Sequence, residues 1–563
     1  MSTDNLDYAL ALQRLYHWES TAPDRVVFTQ PLGGGVVRDY TWGEVMDQSR
    51  RMAAHLQAMG VQHGDRVALI SKNTAHWMMS DFAIWLAGAV SVPLYPTLAA
   101  GTIRQILEHS GAKLLFVGKL DGWEGMKPGV PEGLPCISHP LSPDDARRSY
   151  PQWDEICAKT TPLAGNPTRP ADDLATIMYT SGTTGAPKGV MHSFGTFAWG
   201  VRSGLKRVSA INSNSRMLSY LPLSHVAERT LVEHGLLATG MRVFFAESLE
   251  TFTADLQRAR PTAFFSVPRL WVKFQQGVSA KMPPAKLERL LKIPILRGIV
   301  KKKILSALGL DQCEFAGGGA APMPPDLLRW YDKLGLRIVE VYGMTENCGV
   351  SHATLPGTLK PGTVGLPYDG VQSRIDPNTG EIQMKAPCLM LGYYREPELT
   401  RQTFTEDGWL KTGDKGELDT EGNLKITGRV KDLFKTSKGK YVAPAPIENL
   451  INADNTIELS CVAGSGYADA HALIQVAESL VDKLKTAEGR AEYEPHFAEL
   501  LKQVNSQLED WEQLGFVAIV SERWLVENGF LTPTMKIKRS TIEAHYKPQL
   551  DAWYASKKKV IWG

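Results

Sequence analysis

The residues best equipped for chemistry stand together at 179–189, YTSGTTGAPKG. Hydroxyls at Thr180, Ser181, Thr183 and Thr184, close backbone approach at Gly182 and Gly185, and the ammonium of Lys188 are what a polyphosphate requires. A flexible surface loop is the bland alternative for any Gly/Ser/Thr run. Against it, the run follows an apolar strand-like stretch, LATIMY at 174–179, and closes on Pro-Lys-Gly. It is not a Walker loop: that motif needs GxxxxGK followed by Ser or Thr, whereas Pro187 precedes Lys188 and Gly189 follows it. The residues themselves support a phosphate-handling loop that leaves the carboxyl end of a strand.

Further segments follow downstream: YLPLSHVAER at 220–229, AGGGAAP at 316–322, VYGMTE at 341–346, KTGD at 411–414, GRVKDLFKTSKGKYVAPAPIEN at 428–449 and LTPTMKIKR at 531–539. In type and order the series resembles the motifs of the adenylate-forming superfamily of acyl-CoA synthetases, peptide-synthetase adenylation domains and luciferases. The resemblance spans the chain from about Thr176 to its end. It implies a large N-terminal domain, a mobile C-terminal domain, and ATP with Mg2+. It also implies a two-step reaction, in which a carboxylate attacks the α-phosphorus of ATP, releases pyrophosphate, and passes its acyl group from the adenylate to a nucleophile. Such chemistry rests on positioning and electrostatics, so the residues to find are cations, metal ligands and hydrogen-bond donors.

The same resemblance distributes roles. Glu346 and the Thr184 hydroxyl are hard oxygen ligands for magnesium. Tyr342 is expected to stack on adenine, with Thr345 near the α-phosphate, Gly343 in the same nucleotide motif, and the glycines Gly317, Gly318 and Gly319 letting backbone approach the base. Asp414 and Arg429 are expected at the ribose hydroxyls. Lys536 is the catalytic cation, bridging substrate carboxylate and α-phosphate; Met535 stands where many relatives have glycine, as in the long-chain variant. Lys431 falls at the family's hinge, where rotation would remove Lys536 after adenylation. Gly439, in TSKGKY at 436–441, would then border a pantetheine channel. His225 is assigned to the acyl or carboxylate side, with a satisfied core histidine as the competing account. No base is needed for the first step, because the carboxylate is already ionised at neutral pH.

The motif variants are most similar to those of long-chain fatty-acid CoA ligases, so a medium- or long-chain fatty acid and CoA are the expected partners. A fatty-acyl-AMP ligase serving a carrier protein and a non-catalytic nucleotide or lipid sensor are the alternatives. Trp199, Phe264 and Phe265 are apolar candidates for the acyl pocket. The segment 292–303, KIPILRGIVKKK, mixes basic and apolar residues, as a solvated helix face or a peripheral contact with an anionic membrane surface would.

These groups need a scaffold larger than one core, since hydrophobic cores stop growing at about 250–300 residues and the chain has 563. From Arg66 onward, RVALI, a helix through Ala83 and Leu86, VSVPLY, TIRQILEHS and KLLFVG alternate as βαβ units do. Short Gly-punctuated strands after Pro361 predict a β-rich subdomain, and apolar spacing predicts a helix over 495–511. The expected fold is therefore α/β, with an AMP- and acyl-binding domain over 1–429 and a smaller mobile α+β domain over 430–563. The apolar stretch 76–95 reads as a buried helix and strand because Asp81 interrupts it and Pro93 follows. With 62 Lys plus Arg against 60 Asp plus Glu, the net charge of +2 gives no global field for nucleic acid. Six scattered cysteines and an acidic N-terminus fit reduced thiols in the cytoplasm, with any membrane contact at its inner face.

Overall fold

The computed structural model describes residues 9–181, 187–208, 210–358, 360–532 and 535–563. It divides into two compact units, one of residues 1–373 and 384–410, the other of 374–383 and 411–563. Residues 411–429, which hold all but the first residue of the strand Leu410–Leu418 and all of Leu424–Arg429, thus group with the second unit, whereas the sequence reading sets the boundary after 429.

The first unit is built on a seven-stranded sheet in the order Gly392–Tyr393, Pro187–Ser193, Leu174–Ser181, Val90–Leu94, Arg66–Ile70, Leu114–Val117, Cys136–Ser138. Its last five strands run parallel, joined by helical crossovers, and Val67, Ala68, Leu69 and Ile70 are all fully buried, as helices on both faces require. The crossover helix Ala75–Leu86 starts where the Thr74 side chain accepts the Trp77 amide hydrogen, and every residue in it is buried. Asp81, in its middle, pairs with Arg229, whose guanidinium also lies 5.4 Å from the Trp77 ring and 5.8 Å from the Trp85 ring. Burial raises the carboxyls of both Asp81 and Glu233, the latter further because Asp81 stands beside it. Burial thus disfavours charge on both carboxyls, more strongly on Glu233, while Arg229 favours it on both.

A second sheet has parallel strands Ala263–Ser266, Phe315–Gly319 and Ile338–Tyr342, followed by antiparallel His352–Ala353 and Leu366–Pro367. Val36–Thr41, Val26–Gly33, Arg242–Phe245 and Arg216–Ser219 make a third. In the second unit, Ile457–Ala463, Ala470–Val476, Leu514–Ile519 and Val560–Trp562 form a sheet that packs against the helix Ala487–Asn505. That helix begins and ends earlier than the predicted 495–511. Thr486 caps it by accepting the Gly489 amide hydrogen, and its first half, AEGRAEYE, carries no apolar period. Asn505 stops it by exchanging two hydrogen bonds with Leu514. Phe497, Leu500, Leu501 and Val504 are core, as their spacing indicates. Among the described residues no helix is long and apolar enough to cross a membrane.

Candidate functional site

The Gly/Ser/Thr run is flanked by strand on both sides rather than being loop throughout. Leu174–Ser181 and Pro187–Ser193 pair antiparallel with Thr180 opposite Lys188, so hairpin pairing satisfies the backbone that a free loop would leave to water. Ser181 ends the first strand, while Gly182, Thr183, Thr184 and Gly185 lie outside the described residues.

The Lys188 strand is also the partner of the short strand Gly392–Tyr393, in which Tyr393 faces Val190 across the pairing. This brings Tyr393 beneath the ammonium of Lys188, 5.7 Å from its ring centroid. From there the Tyr393 hydroxyl donates a 2.8 Å hydrogen bond to Oε1 of Glu346. Burial, with the Glu346 charge adding to it, holds the Tyr393 hydroxyl well above its usual range, so it remains a donor. The backbone of Glu346 is tied to the same segment, its carbonyl accepting the Met390 amide hydrogen at 2.8 Å. Two of the predicted residues, Lys188 and Glu346, are thus joined through one tyrosine.

Thr345 is positioned from behind. His192, on the Lys188 strand, is fully buried, and burial lowers it to about 4, so it is neutral at pH 7. Its Nε2–H donates to the Thr345 carbonyl at 2.7 Å, which leaves Nδ1 to accept from the Cys348 thiol at 3.4 Å, while the nearby Thr196 hydroxyl donates to the Ser193 carbonyl at 2.9 Å. Gly343 allows the turn before it: a Cβ there would stand 2.3 Å from the backbone of Gly349. Tyr342 ends its strand 8% exposed, its ring centroid 6.2 Å from that of His352.

Gly317, Gly318 and Gly319 are strand rather than loop. A Cβ on Gly317 would stand 2.7 Å from the Phe265 ring, one on Gly319 2.7 Å from the Val341 carbonyl and 3.1 Å from Phe265, and one on Gly318 3.1 Å from Met323. The close approach they permit is therefore made first by protein. Ala320, the next residue, turns out of the strand at φ +66°, a left-handed conformation costly for a non-glycine residue. Of the pocket-wall candidates, Phe264 belongs to the core, with its ring centroid 5.3 Å from Trp271 and 5.9 Å from Tyr220. Phe265 covers the glycines, and Trp199 is half-buried with Gly370 close against it.

His225 is half-buried and caps the one-turn helix Val226–Glu228, its Nδ1 accepting the Ala227 amide hydrogen at 3.2 Å. Glu228, three residues on, accepts from the Ser219 hydroxyl at 2.7 Å and the Tyr220 amide at 3.0 Å. Burial raises it to about 8. That network holds the YLPLSHVAER segment in place.

In the second unit, Asp414 and Arg429 face each other across paired strands, with Arg429 Nε 3.3 Å from Asp414 Oδ1. Lys431 is exposed in the turn that follows. Gly439 closes a tight turn at φ +81°, where the Thr436 amide donates to the Lys440 carbonyl at 2.9 Å. Lys536 is exposed on a hairpin in which Leu531 pairs with Ile537 and the Thr532 amide donates to the Lys536 carbonyl at 2.8 Å. Met535 takes φ +62° in the turn, a left-handed conformation that glycine adopts more readily. At the hairpin's base, Arg539 makes a two-pronged bond to Glu448, 2.6 Å to Oε1 and 2.9 Å to Oε2, a link sequence reasoning missed along with Tyr393 and His192.

Comparison with known proteins assigns the family. The family of AMP-binding enzymes matches residues 15–394, and the AMP-binding enzyme C-terminal domain matches residues 431–558. The chain is similar to the long-chain-fatty-acid–CoA ligase FadD15 of Mycobacterium tuberculosis, 30% identical over 96% of each chain. It is also similar to the peroxisomal long chain acyl-CoA synthetase 7 of Arabidopsis thaliana, 28% identical over 95% of this chain and 85% of that one. Among solved structures, it resembles the A domain of carboxylic acid reductase from Segniliparus rugosus in complex with AMP and a co-purified carboxylic acid, at TM-score 0.79 and 22% identity. That likeness covers 98% of this chain and 94% of that one, and carries the fold alone.

Proposed function

We propose that this chain, which belongs to the AMP-binding enzyme family, is an ATP-dependent ligase that joins a medium- or long-chain fatty acid to CoA. The observation that carries the reading is the Lys188–Tyr393–Glu346 cluster, a cation and a carboxylate held either side of one tyrosine beside the Gly/Ser/Thr hairpin. The names of the full-length relatives support the fatty acid and CoA.

In the first step a carboxylate oxygen of the acid attacks the α-phosphorus of ATP, the bond from that phosphorus to pyrophosphate breaks, and acyl-AMP remains. Lys188 steadies the departing phosphates, and Lys536 offsets charge where carboxylate and α-phosphate meet. Asp414 and Arg429 hold the ribose, and Tyr342 lines the adenine. Glu346 fits magnesium, which is bound through one or two carboxylates together with substrate phosphates and would neutralise the pyrophosphate charge. Thr184 is its proposed second ligand. Rotation about Lys431 then withdraws Lys536, and the loop around Gly439 borders the pantetheine arm. The CoA sulfur attacks the acyl carbon, AMP leaves, and the thiol proton passes to solvent. His225 shapes the carboxylate side of the acyl site through its capped turn.

The fatty acid would be met at a membrane surface. The helices Pro284–Lys292 and Pro294–Ala307 leave Ile293, Ile295, Leu296 and Ile299 between 36% and 81% exposed. Lys292, Arg297, Lys302 and Lys303 stand among them, and no acidic residue occurs over 289–310. An apolar row in a basic field fits an anionic bilayer. Co-sedimentation with phosphatidylglycerol vesicles, weakened by Ile295→Ser/Ile299→Ser and by salt, is the expected outcome; equal binding to neutral vesicles would contradict it.

The deciding assay for the function offers a panel of acids with ATP, Mg2+ and CoA and scores adenylate and thioester by mass spectrometry. Both products from fatty acids are expected. Adenylate and pyrophosphate without thioester would move the reading to an acyl-AMP ligase with another acceptor, and nucleotide binding with neither product would make the chain a sensor.

A further inference from the structure

We infer that Arg539 is a positioning residue for adenylation, holding the Lys536 hairpin to the core of the second unit through Glu448; this rests on the reading of Lys536 as the catalytic cation. The hairpin has two limbs. The outgoing limb is anchored by apolar burial, Phe530 and Leu531 packing with Trp524 and Ile542. The return limb has Lys536 exposed, Ile537 and Lys538 only half-buried, and then Arg539, the first residue of the helix Arg539–Ser556.

The Arg539 guanidinium closes a ring of hydrogen bonds. It donates to both oxygens of Glu448, on the helix Pro444–Ile451, and from Nη1 to the Val462 carbonyl at 2.7 Å. Glu448 Oε1 in turn accepts the Val462 amide hydrogen at 2.7 Å. One side chain thus ties the hairpin's base to a helix and a strand at once. Its Nε also lies 4.0 Å from Asp432, the residue after the proposed hinge at Lys431. Burial opposes its charge, but Glu448, with Asp432, outweighs that and holds the guanidinium charged. A planar fork serves here where an ammonium would not, since only the fork meets both carboxylate oxygens and a carbonyl together.

The consequence for catalysis is selective. A hairpin loosened at its base displaces the Lys536 ammonium, and misplacement by about 1 Å costs on the order of 100-fold in rate. Substrate contacts in the first unit are untouched.

The test measures pyrophosphate exchange and thioester formation from supplied acyl-AMP separately. Arg539→Lys keeps the charge without the fork. The double variant Arg539→Met/Glu448→Leu removes both buried charges, which avoids stranding one of them. Expected are an adenylation kcat lowered about 10-fold in the first and about 100-fold in the second, with KM for ATP within about threefold, thioester formation within about twofold, and faster hydrogen exchange over 530–538. Unchanged adenylation in the folded double variant overturns the inference, and so does parallel loss of both half-reactions. Lys536→Ala run alongside separates the two claims. If it retains adenylation, the reading of Lys536 falls; if it abolishes adenylation while the Arg539 variants do not, only the positioning role falls.

Discussion

The two units hold the charges proposed for the reaction in opposite ways. Glu346 is fixed in place, bonded by Tyr393, with Lys188 over the same ring and the neutral His192 behind its neighbour Thr345. Lys536 is exposed on a turn whose preceding residue is in a left-handed conformation, and its security lies three residues away in Arg539. Preorganisation of this kind suits the proposed polyphosphate role, because donors already aimed need no rearrangement when charge develops. In the proposed cycle Lys536 arrives for one half-reaction and leaves for the next, a task suited to the end of a short anchored arm.

The contrast is most sharply tested at the arm itself. Lys536→Ala should lower pyrophosphate exchange by roughly 100- to 1,000-fold, about 3–4 kcal/mol, while thioester formation from supplied acyl-AMP persists. Equal loss of both half-reactions would erase the division of labour. Next in size is Tyr393→Phe, which removes one hydrogen bond to a carboxylate, worth about 1.5–3 kcal/mol. It should appear as a raised KM for Mg2+-ATP with thioester formation spared; an unchanged KM would show that Glu346 needs no fixing.

A smaller effect separates the units by pH. Burial raises Glu228 and Glu340, both in the first unit, to about 8. Their folded values exceed the unfolded ones, so the stability they contribute is full below about pH 4.5 and is lost as pH rises through 8. In the same unit burial lowers His139 to about 3 and His192 and His352 to about 4. These depressed values contribute stability that is full above about pH 6.5 and is lost as pH falls towards 4. The two sets oppose each other between pH 4.5 and 6.5, leaving an alkaline decline from 6.5 to 8 of up to about 1.4 kcal/mol per pH unit for each glutamate. Hydrogen exchange resolved by unit should show that decline in the first unit and its flattening in Glu228→Gln/Glu340→Gln; a decline of the same slope in the variant would reject the cause. The smallest effect is at the turn. Met535→Gly relieves about 1–2 kcal/mol of left-handed strain but costs about 0.5–1 in chain entropy. Thermal stability and adenylation should both change little, and a large rate loss would mean that the Met535 side chain itself meets substrate.

Much of the architecture was legible in the sequence because it repeats a local rhythm: RVALI, VSVPLY and KLLFVG lie at strand spacing with helices between. Lys188 and Glu346 could be picked out as candidates because residue type and motif coincide. Their connection could not, since Tyr393 lies 47 residues from Glu346 and belongs to a two-residue strand too short to leave a pattern. His192 reaches Thr345 across 153 positions, and Arg539 reaches Glu448 across 91, inside motifs whose lysine and glycines draw the attention. The glycines at 317–319 misdirect in another way. They suggested a close approach to a base, whereas the groups packed against them here are Phe265, Met323 and the Val341 carbonyl.

The pairing of Asp81 with Arg229 has a consequence for how the protein is made. The carboxylate lies 148 residues upstream of its guanidinium, in a helix that is otherwise among the most apolar in the chain. At synthesis rates of about 5–20 residues per second, Asp81 waits roughly 7–30 seconds for its partner to be translated. Over that interval the helix cannot bury itself without stranding a charge, and partition into a bilayer would cost about 2.5–3.5 kcal/mol for the same carboxylate. One acidic residue thus raises the cost of burying that helix, in a core or in a bilayer, until Arg229 is present to pair with it.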